Sequence, residues 1–212
     1  MRQRGTSDVT TVILVRHGRS TWNEERRWQG QADPPLSDAG KAQARRVAER
    51  LRSEPIAAIY SSDLRRALET AQIIGGFLKL EPRPEPRLRE IDLGEWAGLT
   101  GEEIAARYPE QWQAWTNYEN IRPGGGETFD EMQRRVMAAL REITAAHPGE
   151  TVCVVTHGGA VYAILGHVLG LERGPRLFKD LPPNRNTAVT ILHFRDNEAE
   201  PSLIMDAGHL DE

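Results

Sequence analysis

Three short apolar runs in this chain, TTVILV, IAAIY and TVCVV, each stop at a cluster of polar groups and lead into a stretch with helical periodicity. Arg16 and His17 follow the first (LVRHG), Ser61 to Arg66 follow the second (YSSDLRR), and His157 follows the third (VVTHGG). Alternation of strands with helices predicts a mainly parallel sheet covered on both faces, because parallel neighbours need a helix-length crossover between them. In such sheets ligands bind beyond the carboxyl ends of the strands. The three polar strand ends are therefore expected to converge at one edge, although they lie far apart in sequence.

The remaining elements extend this α/β pattern. Ser37 is placed to cap a helix through DAGKAQARRVAERLR, where Ala44, Val47, Ala48 and Leu51 form an apolar stripe. Ile56 to Ser62 reads as the second strand, and Asp63 as the opening of a helix through LRRALETAQIIGGFL. Prolines in EPRPEPRLRE permit only a short extended piece. Thr100 with Glu103 predicts a short helix, and Thr128 with Glu131 a long one reaching about Ala146, each through a capping box. A strand over TVCVVTH, a helix from Gly158 to about Leu169, and two strands over TAVTILHF and SLIMDA complete the chain. The expected fold class is α/β: a three-layer α/β/α sandwich with a mainly parallel sheet and an antiparallel C-terminal edge. The 212 residues suit one domain, 1–212, with Met1 to Asp8 as a loose tail. Residues 90–127, ending in a PGGGE segment expected to be a mobile loop, suit a cap over one sheet end.

Composition narrows the class of partner. With 39% hydrophobic and 27% charged residues the chain reads as an ordinary soluble protein. Its net charge of -4 gives no general reason to expect nucleic acid or an anionic membrane. It lacks a membrane-length apolar stretch, and MRQRGTSD lacks the apolar core of a signal peptide. A single cysteine, Cys153, excludes an internal disulfide framework and sits in an apolar strand, as an inert packing residue would. The cytoplasm is the expected location. No HExxH or cysteine–histidine zinc pattern occurs, so no metal and no cofactor is expected. The oligomeric state is left open, a homo-oligomer included.

Arg16, His17, Arg66 and His157 at one sheet edge would form an anion site containing a nucleophile. A neutral imidazole attacks phosphorus well, and neighbouring guanidinium groups both keep it unprotonated and bind phosphoryl oxygens. A second histidine can donate to those oxygens in the transition state. The departing alkoxide still needs an acid, for which LREIDLGEWAG offers Glu90, Asp92 and Glu95.

The blocks LVRHGRSTWN, RRWQGQADPPLSDAGKAQA, IYSSDLRRALETA, LREIDLGEWAG, GGGETFDEMQRRV and VVTHGG, in this order from Leu14 to Gly159, resemble the histidine phosphatase superfamily. This is the group with phosphoglycerate-mutase-like folds, and the closest pattern is that of its small broad-specificity phosphatases. The resemblance implies one histidine phosphatase domain in which His17 is the phosphorylated nucleophile. It implies that Arg16, Arg66 and His157 complete the phosphate pocket, with Arg66 preferred to Arg65 because it directly precedes Ala67. It further implies Glu90 as proton donor, and Asn23, Gln29 and Gly30 as substrate contacts. Arg19 departs from the pattern, since many relatives carry glutamate after RHG.

The implied activity is metal-independent hydrolysis of small phosphomonoesters. A cofactor-dependent phosphoglycerate mutase is the alternative, and a non-catalytic phospho-ligand binding protein a third reading. Against the mutase, Ile91, Asp92, Leu93 and Gly94 stand where such mutases typically carry arginine, histidine, tyrosine and glycine, the insertions around the site are modest, and only Gly208 to Glu212 follow the last expected strand. An open pocket, unable to shield a phosphohistidine from water, is the corresponding expectation. Asp92 and Glu95 are expected at the surface, as is Arg65, and His147, His167, His193 and His209 as surface or packing residues. Trp96, Tyr108, Trp112, Trp115 and Tyr118 crowd the cap region. The helical spacing of Tyr108, Trp112 and Trp115 favours packing, while a role in lining a pocket stays open. Arg19, Arg26 and Trp28 are candidates for the entrance.

Overall fold

The computed structural model describes residues 9–171, 177–195 and 198–211, so the tail expected at Met1 to Asp8 lies outside the described residues. Its strands are β1 (Thr10–Arg16), β2 (Ile56–Ser61), β3 (Pro82–Pro84), β4 (Thr151–Thr156), β5 (Val189–Arg195) and β6 (Glu198–Asp206). They form one sheet in the order β3-β2-β4-β1-β5-β6. β1, β4, β2 and β3 pair in parallel, whereas β5 is antiparallel to β1 and β6 to β5. The mainly parallel sheet with an antiparallel C-terminal edge is as the sequence implied.

Helices α1 (Thr21–Glu24), α2 (Asp38–Arg50), α3 (Arg65–Leu78), α4 (Gly101–Arg107), α5 (Pro109–Thr116), α6 (Phe129–Ala146), α7 (Gly158–Val168) and α8 (Leu177–Asp180) connect and cover the strands. The period of two in β1 and β4 divides their side chains between two cores. Ile13, Val15, Cys153 and Val155 pack with Val47 and Ala48 of α2 and Ala67, Ala71 and Ile74 of α3. Val12, Leu14, Val152 and Val154 pack on the other face with Met132, Val136 and Leu140 of α6 and Ala160 and Ile164 of α7. Both faces are thus buried, which explains the nearly continuous apolar character of these strands. No helix among the described residues is long and apolar enough to cross a membrane. Cys153 is fully buried, and burial pushes its thiol up to about 12.

Register decides where the site forms. Arg16 is level with Thr156 across β1 and β4, and Ser61 with Val155 across β2 and β4. The chain therefore leaves the sheet at one edge in all three places, delivering His17, Ser62 and His157 side by side.

Two local expectations change and a third holds. Asp63 does not cap α3: Leu64 holds the cap position without a side-chain bond. The Asp63 carboxylate is instead claimed by the Arg89 guanidinium through bonds of 2.7 and 2.5 Å, and Asp33 accepts the Arg65 amide at 2.5 Å. The spacing of Tyr108, Trp112 and Trp115 holds, since Tyr108 caps α5 just before Pro109, its carbonyl accepts the Trp112 amide at 2.8 Å, and all three pack with the core. The PGGGE segment is closely packed rather than loose. Gly124 adopts φ +58, and a Cβ on it would lie 2.4 Å from the carbonyl oxygen of Leu93. Glycine is required here because two backbones meet where no side chain fits.

Candidate active site

His17 and His157 face one another at the sheet edge, with ring centroids 5.2 Å apart, and both are nearly sealed from solvent (3% and 0% exposed). The Nδ1 atom of His17 lies 2.7 Å from the carbonyl oxygen of Gly18. A carbonyl only accepts, so Nδ1 carries the ring proton and Nε2 keeps its lone pair. Burial, then the charges of Arg66 and Arg16, hold the His17 pKa well below the usual imidazole range. His157 is lowered likewise by burial, Arg66 and the other charges nearby. Its Nε2 lies 2.8 Å from the Ser62 hydroxyl, and its Nδ1 is buried without a protein partner.

The arginines are held by backbone on one side only. Arg66, 1% exposed, donates from Nη1 to Ala32 O at 2.7 Å and from Nη2 to Gly30 O at 2.8 Å. Burial lowers its pKa to about 10, against the opposing effect of Glu90. Arg16 donates from Nη1 to the carbonyl of Asn184. The Nε of each arginine is buried with no protein partner. Buried donors without partners are uncommon and each costs about 1–3 kcal/mol, so these atoms, with His157 Nδ1, form a donor set suited to an anion.

Glu90 reaches the same place from the loop after the short 3-10 turn at Pro86–Leu88. Its carboxylate accepts the amide of Ile91 at 2.9 Å and that of Gly159, in the first turn of α7, at 3.0 Å. A Cβ on Gly159 would lie 2.3 Å from Glu90 Oε1, so the carboxylate occupies space that only glycine leaves. Arg135 of α6 secures the loop from behind. It donates to the carbonyls of Arg87, Arg89 and Glu90 at 2.9, 2.7 and 2.7 Å, and to both Glu127 oxygens at 2.7 and 2.8 Å.

Other sequence-expected residues are placed as follows. Asn23 uses its side-chain oxygen in the capping box of α1, accepting from the Ser20 amide at 3.1 Å, rather than projecting it as a free acceptor. Gln29 accepts from the Ser20 hydroxyl at 2.7 Å and, with Gly30, lines a cavity of about 300 Å³. Arg16, Glu90, Trp28, Ile91, Leu93, Trp115 and Tyr162 line it too. Trp115 therefore both packs and faces the cavity, whereas Trp96 is wholly buried and Tyr118 is exposed. Arg19 and Arg26 are exposed and do not line it, so of the entrance candidates only Trp28 does. Asp92 and Glu95 are exposed, and Arg65 pairs with Glu69 at the surface. His17 is recessed, 3% exposed as a whole residue, while its Nε2 has no protein partner and keeps contact with solvent.

Sequence reasoning missed Arg135, Glu127, Ser62 and the turn before β5. In that turn Asn186 donates to the His17 carbonyl at 3.0 Å, and the Thr187 amide donates to the Arg16 carbonyl at 3.0 Å. Only RRV within the GGGETFDEMQRRV block hinted at Arg135.

Comparison with known proteins gives the family. Residues 12–206 match the family described as histidine phosphatase superfamily (branch 1). Phosphoglycerate mutase-like protein 4 of Arabidopsis thaliana is 40% identical over 210 residues, covering 97% of this chain and 89% of that one. The metal-independent phosphoserine phosphatase of the same plant is 39% identical over 208 residues, covering 96% and 84%. The solved structure of Bacillus stearothermophilus YhfR aligns with a TM-score of 0.88 at 36% identity, covering 95% of this chain and 99% of that one. The chain belongs to the histidine phosphatase superfamily.

Proposed function

We propose that this protein is a metal-independent phosphomonoesterase that hydrolyses small phosphorylated metabolites through a phosphohistidine on His17, with Glu90 as proton donor. The observation that carries this reading is the tautomer of His17. With Nδ1–H held by Gly18 O, the Nε2 lone pair is available in a site where Arg16, Arg66 and His157 supply unpartnered donors. Nε2 attacks phosphorus, the bond to the alcohol oxygen breaks, and that oxygen takes its proton from Glu90. The Glu90 carboxylate then removes a proton from water, whose oxygen attacks phosphorus. The P–N bond breaks and returns its electron pair to Nε2, releasing inorganic phosphate.

Arg16 and Arg66 bind the phosphoryl oxygens and supply the positive charge. Neutral His157 donates to the same oxygens from Nδ1 in the tautomer whose Nε2, 2.8 Å from the Ser62 hydroxyl, accepts from it. Asn23, Gln29 and Gly30 border the bound substrate, and residues 90–127 serve as a cap on the single domain. A small phosphomonoester in the cytoplasm is the partner this site suits, rather than nucleic acid or membrane.

Rapid quench with a phosphomonoester should trap phosphate on His17 as an acid-labile, base-stable adduct. Glu90→Gln should slow that phosphorylation more for an alkyl phosphate than for nitrophenyl phosphate, whose leaving group needs less protonation. Absence of the adduct from a protein that turns over would overturn the mechanism, and binding without turnover would favour the non-catalytic reading.

A further inference from the structure

The cavity that contains Glu90 and Arg16 has a second character along the rest of its wall. Trp28, Trp115, Tyr162, Ile91 and Leu93 give it an extended apolar surface. Trp28 meets Trp96, Trp112 and Trp115 edge to face, with centroids 6.2, 5.8 and 5.8 Å apart. Trp96 and Trp115 also meet at 6.0 Å, and they are 0% and 8% exposed. The indoles thus lock one another in place, and the wall exists before any ligand arrives. A preformed aromatic surface takes a flat apolar group without first paying to order its own side chains.

From this the geometry points to a leaving-group subsite for a neutral, ring-bearing alcohol, seated against Trp28, Trp115 and Tyr162 while its phosphate lies at Arg16 and His17. This rests on the phosphomonoesterase reading above and narrows its substrate class. The size of the cavity, about 300 Å³, lies at the small end of ligand pockets and suits one or two rings. Charge points the same way. Arg16 is the one cation in the wall among the described residues, and its Nη1 is already bonded to Asn184. A carboxylate on the alcohol, as in phosphoserine or phosphoglycerate, would lose its hydration against indole with no free cation among the described residues of the wall to replace it. A ring would instead bury apolar area at both surfaces.

The test compares benzyl phosphate, ethyl phosphate and phosphoserine, all of which leave as alkoxides. For the wild-type protein, kcat/KM is expected to be roughly 10- to 100-fold higher for benzyl than for ethyl phosphate, and lowest for phosphoserine. Trp28→Leu and Trp115→Ala should each narrow the benzyl-to-ethyl ratio by about tenfold. Because Trp115 is also a core residue, binding to the wild-type protein is read as well: benzylphosphonate should compete with inorganic phosphate more strongly than the phosphonate isostere of phosphoserine does. Phosphoserine turned over as well as benzyl phosphate, or a ratio unmoved in folded Trp28→Leu, overturns the subsite and leaves the phosphatase reading standing. Preferential binding of benzylphosphonate without turnover of any ester supports the subsite and removes the hydrolytic reading instead.

Discussion

The guanidinium of Arg135, on helix α6, donates to the main-chain carbonyl of Glu90 at 2.7 Å, 45 residues away in sequence. With Arg87 O, Arg89 O and the two oxygens of Glu127, all five of its N–H groups are used. Glu127 in turn accepts the Asp92 amide at 3.3 Å and donates its own amide to the Asp92 carbonyl at 2.9 Å. The loop bearing the proposed acid is thus clamped on both sides of Glu90.

Arg135 is a positioning residue by this geometry, and its loss should be felt through Glu90. Arg135→Ala is expected to destabilise the fold by about 3 kcal/mol, because it strands a half-buried Glu127 carboxylate and three carbonyls. It should also slow alkyl phosphates more than nitrophenyl phosphate. Combined with Glu90→Gln, its effect on alkyl phosphate turnover should be far less than additive. Additive losses, equal for both substrates, would show that Arg135 acts only on stability.

Gly159→Ala tests the carboxylate position directly. The added methyl would lie 2.3 Å from Glu90 Oε1, so the carboxylate must move away from the Gly159 amide. Turnover of alkyl phosphates is expected to fall by about 100-fold, a displacement effect of the size that misplacement of a reacting group produces. Inorganic phosphate should still bind, since Arg16 and Arg66 are untouched. Unchanged kcat with an alkyl phosphate would remove Glu90 from the acid role.

Acid sensitivity follows from the buried histidines. His17 and His157 are held well below the usual imidazole pKa, and His209, whose Nε2 meets the Thr187 hydroxyl at 3.0 Å, is lowered to about 4. Below pH 6.5 the unfolded chain binds protons at these positions and the folded chain does not, so stability falls as pH drops from about 6.5 toward 4. Each such group contributes a slope of at most about 1.4 kcal/mol per pH unit in that window. Thermal melts between pH 7 and 4.5 should show His209→Gln with a shallower loss than wild type. The neutral state of His17 also predicts that its phosphorylation rate does not decline through nucleophile protonation until well below pH 6.5.

Hydrolysis and phosphoryl return can be separated by product. Phosphate release from several monoesters is expected, insensitive to chelators because arginines supply the charge, with little interconversion of 3- and 2-phosphoglycerate even with 2,3-bisphosphoglycerate present. The near-complete burial of His17 makes this a sharp test, since a sheltered phosphohistidine is what a mutase needs. Efficient interconversion with negligible phosphate release would establish the mutase activity.

What the sequence by itself determined is whatever depends on local order. Apolar β-branched runs such as TTVILV and TVCVV must bury both faces, so their strand character and the parallel sheet follow from residue type. The capping boxes at Thr100 and Thr128 are likewise local, and both form. Because the runs end in polar clusters, the meeting of His17, Arg66 and His157 could be inferred, and ordered motif resemblance added Glu90. Tertiary structure alone decided the rest, because a side chain that can bond in several ways takes the partner that folding brings within reach. Asp63 abandons the helix cap for Arg89, and Arg135, an unremarkable helix arginine in sequence, meets the carbonyls of a loop more than forty residues away. Trp28 and Trp115 become one wall only after separate segments fold together, which no periodicity in either segment encodes.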